Sequence, residues 1–145
     1  MSKKPTTTFS HIGVCVSNME RSTRFYTEAL GFEISYSLEA GAPFNIMTEM
    51  PEMKLHATFM TRGALMIELL YHEIPTTIGP AERRPMNQLG LTHLSFVIDD
   101  IAAVADLIDK YGGRALSQTK VTSPAGDMMF CTDPDGARIE LWQKA

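Results

Sequence analysis

The chain carries its own pattern twice, and this duplication constrains the fold more than any other feature. "FSHIGVCVS" sets His11 in a run of apolar residues, and 82 residues later "LTHLSFVID" does the same with His93. The same spacing joins Ser17 to Asp99, Phe25 to Leu107, Gly31 to Gly113 and Ile34 to Leu116. Toward the end of each copy the spacing shortens to 72 and relates "IELL" at 67–70 to "IELW" at 139–142. The second copy is therefore ten residues shorter, and the loss is assigned to the stretch matching residues 39–53. The pattern is a duplication of one unit and not a solenoid of many short periods.

Each copy reads as β-α-β-β-β. In the first, "FSHIGVCVS" is a strand. "SNME" fits a capping box, with Ser17 as the cap and Glu20 reaching back. Phe25, Tyr26, Ala29 and Leu30 form an apolar stripe at helical spacing, and Gly31 closes the helix. "FEISYSL" is the next strand, and "KLHATFM" and "ALMIELLY" form a hairpin through "TRG". In the second copy Asp99 and Asp100 are candidate caps for a helix with Ile101, Val104, Ile108 and Tyr111 on its apolar face. "RALSQTKV", "MMFCTD" and "ARIELWQ" read as three further strands, with "DPDG" as the turn before the last. The expected class is α+β: one domain over 1–145, made of modules at 9–71 and 91–143 joined by a linker at 72–90.

Two segments fall outside the repeat. Residues 39–53, "EAGAPFNIMTEMPEM", carry three methionines and read either as an adaptable binding loop or lid, or as a loop packed on the core. The linker contains three prolines and the adjacent Arg83 and Arg84, which read as solvated or as a greeting for an anionic group. A chain of 145 residues with 44% apolar and 21% charged residues is long enough for one ordinary core. Its net charge of −4, without a basic stripe, argues against nucleic acid and against an anionic membrane surface. No apolar run approaches the ~20 residues of a membrane span, and the polar start "MSKKPTTTFS" has no signal-peptide core. Cys15 and Cys131 form no CxxC pair, so free thiols and a cytoplasmic location are expected.

The repeat also duplicates chemistry. Each copy has one histidine on its first strand and one glutamate inside the apolar run of its last. A carboxylate buried without a partner is costly. Taken singly, each residue fits an outward-facing strand position. Taken together, pseudo-symmetry directs His11, Glu68, His93 and Glu140 toward one divalent cation, and imidazole and carboxylate suit Ni, Co, Zn, Mn or Fe. Four protein donors leave an octahedral ion two positions for water or substrate. Cys15 shares strand parity with His11 and reads as a lining of the same cavity or, in preference, as a small apolar filler. His56 and His72 have no repeat partner and read as surface or loop residues.

The segments "HIGVCVSNMERSTRFYTEALGF", "IELL", "LTHLSFVIDD" and "DPDGARIELWQ" resemble the vicinal oxygen chelate superfamily, which includes glyoxalase I, methylmalonyl-CoA epimerase, extradiol dioxygenases and bleomycin-resistance proteins. The resemblance runs from about Phe9 to Gln143. It implies two βαβββ modules in a curved, mixed, eight-stranded sheet around a metal cup, with His11, Glu68, His93 and Glu140 as ligands. In this superfamily the modules pair within one chain or across a dimer, and a homodimer is expected here. Cys15 stands where glyoxalase I commonly has an arginine for glutathione, and Thr92-His93 stands where epimerases typically show two histidines.

The leading expectation is a lyase or isomerase that moves a proton next to a carbonyl, through an enolate stabilised by the metal as a Lewis acid. Glu140 and Glu68 are the first candidates for the proton-transferring carboxylate. Glu49 is a further candidate on the methionine-rich segment, with Glu52 beside it. Two alternatives stand beside this one. The first is an extradiol-type Fe(II) dioxygenase, which would leave the Glu68 position without a ligand. The second is a non-catalytic protein that binds a small molecule of the antibiotic type.

Overall fold

The structure is a computed structural model that describes residues 1–145. The first module comprises β1 (Ile12–Cys15), α1 (Met19–Glu28), β2 (Glu33–Ala40), the one-turn α2 (Phe44–Met47), β3 (Lys54–Arg62) and β4 (Leu65–Ile74). The second comprises β5 (His93–Ile98), α3 (Ile101–Lys110), β6 (Arg114–Ala115), a 3-10 turn at Ser117–Thr119, β7 (Val121–Ser123), β8 (Gly126–Thr132) and β9 (Arg138–Lys144). The duplicated βαβββ order is present. The strands lie in two separate sheets, ordered β1-β4-β3-β2 and β5-β9-β8-β6, with β7 also paired to β8. The first strand of each module runs parallel to the last, Ile12 beside Ile67 and Leu94 beside Ile139. This leaves β1 and β5 at free sheet edges, and no ladder joins the two sheets within one chain.

Strand alternation answers why a glutamate sits inside each apolar run. Ile67 and Leu69, and likewise Ile139 and Leu141, are fully buried, so the residue between each pair points to the opposite face. The buried faces of both sheets meet in one core cluster of 15 residues, which includes Phe25, Tyr26, Met60, Ile101, Ile108 and Cys131. Helix α1 lies at this junction. Its Tyr26 hydroxyl donates to Asp133 Oδ2 at 2.8 Å. Asp135 accepts from the Ser17 backbone N–H at 3.0 Å and pairs with Arg21 at 3.2 Å. The D-P-D-G turn of the second module is thereby docked on the helix of the first. Phe32 meets Phe96 edge-on at 5.9 Å beside it.

Three local expectations are corrected and two open ones are resolved. The cap of α1 is Asn18, whose side chain accepts from Arg21 N–H at 2.9 Å, because the Ser17 hydroxyl is engaged by Asp135. For α3 the cap is Asp100, accepting from Ala103 N–H at 3.0 Å. "RALSQTKV" is not one strand. Leu116 turns into the core at 1% exposure, and Thr119 Oγ1 takes the Phe130 N–H at 2.9 Å that a continuous ladder would have used. The methionine-rich segment divides: Met53 packs inward at 7% exposure, while Phe44, Ile46 and Met47 of α2 project outward. The linker starts later than residue 72, because β4 continues to Ile74 before a stretch without helix or strand up to β5.

Candidate metal centre

On the face of the first sheet turned away from the core, His11, Gly13 and Cys15 line up along β1, and Glu68 is the register partner of Gly13. A Cβ at Gly13 would meet the Leu70 side chain at 3.2 Å. His11 Nε2 lies 3.1 Å from Glu68 Oε2, with the two side chains 33% and 18% exposed. His11 Nδ1 lies 2.7 Å from Ser10 Oγ, and its ring stands edge-on to Phe59 at 5.1 Å. Phe59 is stacked in turn on Tyr36 at 4.5 Å.

The second sheet repeats this setting. His93 Nδ1 lies 2.9 Å from Thr92 Oγ1, and its ring stands edge-on to Phe130 at 5.3 Å. Phe59 and Phe130 are the register partners of Glu68 and Glu140. A proton on Nδ1 given to the neighbouring hydroxyl would leave Nε2 to a metal, whereas in this structure His11 Nε2 faces Glu68 Oε2, a contact that needs a proton between the two. The modules differ at the carboxylate. Glu140 accepts from Ser95 Oγ at 2.7 Å, and Ser95 occupies the position that Gly13 holds in the first copy.

Of the four sequence-predicted donors, only His11 and Glu68 are in contact, while His93 and Glu140 lie on adjacent strands of the second sheet without an ion pair between them. No cluster of three or more His, Cys, Asp or Glu side chains able to share an ion occurs within one chain. Two imidazoles and two carboxylates are donors of the kind that suit a borderline divalent ion.

Other candidates lie elsewhere. Glu49 is exposed after α2 at φ 57°, Glu52 is exposed nearby, and neither forms an ion pair with the four. Cys15 is exposed on the His11 face and is not a buried filler; partial burial and the Asp135 charge both raise its thiol pKa. Cys131 is fully buried, and burial pushes its thiol up to about 11. His56 and His72 are strand residues. His56 bridges Glu73 at 2.8 Å and Glu39 at 3.3 Å, and His72 lies on β4. Sequence reasoning passed over Ser10, Thr92, Phe59, Phe130 and Ser95. Ser10 and Thr92 were detectable, being hydroxyl residues immediately before matching histidines.

Residues 8–141 match the family described as Glyoxalase/Bleomycin resistance protein/Dioxygenase superfamily. The chain belongs to this superfamily. The solved structure of a glyoxalase family protein from Bacillus cereus superposes with a TM-score of 0.86 at 18% identity, covering 99% of this chain and 98% of that one. That chain therefore shares this fold. An ethylmalonyl-CoA/methylmalonyl-CoA epimerase from Cereibacter sphaeroides is 26% identical over 140 residues, 92% of this chain and 96% of its own length. A probable chloroplastic lactoylglutathione lyase from Arabidopsis thaliana is 25% identical over 135 residues, 92% of this chain, and the chain spans 35% of that protein's length. No helix is long and apolar enough to cross a membrane.

Proposed function

We propose that this superfamily member is a divalent-metal-dependent lyase or isomerase of the glyoxalase/epimerase type, transferring a proton next to a carbonyl. The observation that carries the reading is the repeated half-site. In each module a histidine has its Nδ1 engaged by a neighbouring hydroxyl and its ring set against a phenylalanine, with a glutamate on the adjacent strand that contacts the histidine in the first module, at 3.1 Å, and Ser95 in the second. Relatives named as a lyase and an epimerase support the reaction type.

Since one chain presents the donors on two separate sheets with free edges, the full set is assembled from two copies. His11 and Glu68 of one chain would face His93 and Glu140 of another, which makes a homodimer part of the proposal. A divalent ion held by these four would supply Lewis-acid polarisation of a substrate carbonyl. The chain's own residues do the rest. Ser95 holds Glu140 in one orientation. Glu68 has no such tether, and its ion partner is His11. Glu68, held by His11 alone, is accordingly the candidate to carry the proton, and Glu140, held by Ser95, the fixed carboxylate. Phe59 and Phe130 orient the imidazoles through their edge-on contacts.

The test is plasma mass spectrometry of protein purified without added metal or chelator, with Glu68→Ala and Glu140→Ala alongside. Near-stoichiometric Ni, Co, Zn or Mn, lost in both variants, supports the reading. Thioester epimerisation and hemithioacetal isomerisation are then the assays to run. Iron that survives Glu68→Ala would favour the dioxygenase alternative, and protein that takes up no metal would favour a non-catalytic binder.

A further inference from the structure

We infer that Arg138 anchors a carboxylate of the substrate beside the proposed metal centre, opposite an apolar wall, so that the substrate is an amphipathic carboxylate bearing the enolisable carbonyl. This rests on the metal-centre reading above and names the substrate class it leaves open.

The placement follows from β9. Arg138 precedes Glu140 by two residues and therefore shares its sheet face. It is the register partner of His93. Its guanidinium carbon lies 5.3 Å from the centre of the Phe130 ring, the same ring that His93 meets edge-on. Arginine, histidine and the tethered glutamate thus surround one phenylalanine.

The guanidinium is also held from behind. Arg138 Nε donates to the Arg84 carbonyl at 3.0 Å. The Arg84 side chain bonds the Leu91 carbonyl, which folds this part of the linker back on itself. Gly136, at φ 92°, lets the linker backbone at Glu82 approach so closely that a Cβ there would come within 2.5 Å of it. Arg83 and Arg84 are both exposed, and Arg84 braces the linker through its bond to Leu91.

One N–H of Arg138 is used in this way, and the two terminal nitrogens keep their four donors. No aspartate or glutamate oxygen lies within 4.0 Å of the guanidinium, which takes part in none of the chain's ion pairs. A half-buried, oriented guanidinium without a counter-charge presents the planar fork that a carboxylate accepts in bidentate fashion. The first module has no equivalent cation. The residue 72 positions earlier is Met66, and there Phe59 stacks on Tyr36. A site built from one face of each kind is cationic on one wall and apolar on the other.

The experiment uses the purified protein, metal-loaded and metal-stripped, and isothermal titration with 4-phenylbutyrate and with its uncharged analogue 4-phenylbutyramide. The wild type should bind the carboxylate about tenfold or more tightly than the amide. Arg138→Met, which keeps the stem against Phe130, should bind the two alike, and Arg138→Lys should retain part of the preference. An equal preference in wild type and Arg138→Met overturns the inference, as does a wild type that prefers neither or binds neither. Melting curves check that the variants fold. Metal content measured on the same samples separates the two proposals. Protein that takes up no metal but keeps an Arg138-dependent preference sinks the metal centre alone, and metal-loaded protein without the preference sinks the anion subsite alone.

Discussion

Replacing Tyr26 by phenylalanine removes one oxygen from the junction between the modules. Tyr26 is fully buried, and its hydroxyl donates at 2.8 Å to Asp133, which is itself 2% exposed. The other Asp133 oxygen accepts from the Asp135 and Ala137 backbone N–H groups, both at 2.9 Å. In the variant Oδ2 is left buried without its donor, and losing a hydrogen bond to a buried charged acceptor costs about 2–3 kcal/mol. For a chain of this size that lowers the melting temperature by about 4–12 °C. The effect has a pH signature. Burial raises the Asp133 pKa, while the Tyr26 hydroxyl and the two backbone donors hold it down. Without Tyr26 it rises further. A carboxyl whose folded pKa exceeds its unfolded value binds more protons folded than unfolded between the two, so stability falls as pH rises through that window. The variant's deficit should therefore be larger at pH 7 than at pH 4. Urea unfolding followed by circular dichroism at both values measures it. A deficit below about 0.5 kcal/mol, or one larger at pH 4, would refute the reasoning.

Gly113→Ala should destabilise by about 3 kcal/mol or more, since its Cβ would lie 2.4 Å from the Thr132 carbonyl oxygen and 2.6 Å from Phe25, and the rigid core cannot yield; chemical denaturation reads this out. Asn18→Ala should cost about 1 kcal/mol through loss of the α1 cap, whereas Glu20→Ala should cost little, an order that the capping box read from the sequence would reverse. Thiol titration of the native protein should detect one reactive cysteine, the exposed Cys15, with its rate climbing toward alkaline pH because its thiol pKa is raised. Cys131 should react only after unfolding, its thiol being buried and pushed up to about 11.

The duplicated βαβββ order and the facing of each candidate donor were legible because strand parity and repeat spacing are local properties. Glu68 and Glu140 had to point away from the core once Ile67, Leu69, Ile139 and Leu141 pointed into it. What escaped depends on partners distant in sequence. Ser17 and Asn18 are both competent caps, and the choice is made by Asp135, 118 residues away in the other module. The break after Ala115 comes from Thr119 capturing the Phe130 N–H, which no periodicity signals. The separation of the donors between the two sheets has the same origin. Pseudo-symmetry relates the two half-sites without fixing whether the complementary module belongs to the same chain.

That question has a direct test. One chain carrying His11→Ala and Glu68→Ala is co-expressed with a second chain carrying His93→Ala and Glu140→Ala, each with its own affinity tag, and the mixed dimer is isolated for metal analysis. If the donors come from two copies, the mixed dimer holds one intact site and carries metal, although neither variant does alone. If wild-type protein holds metal and the mixed dimer holds none, the four donors are not shared between chains and the proposed centre is wrong.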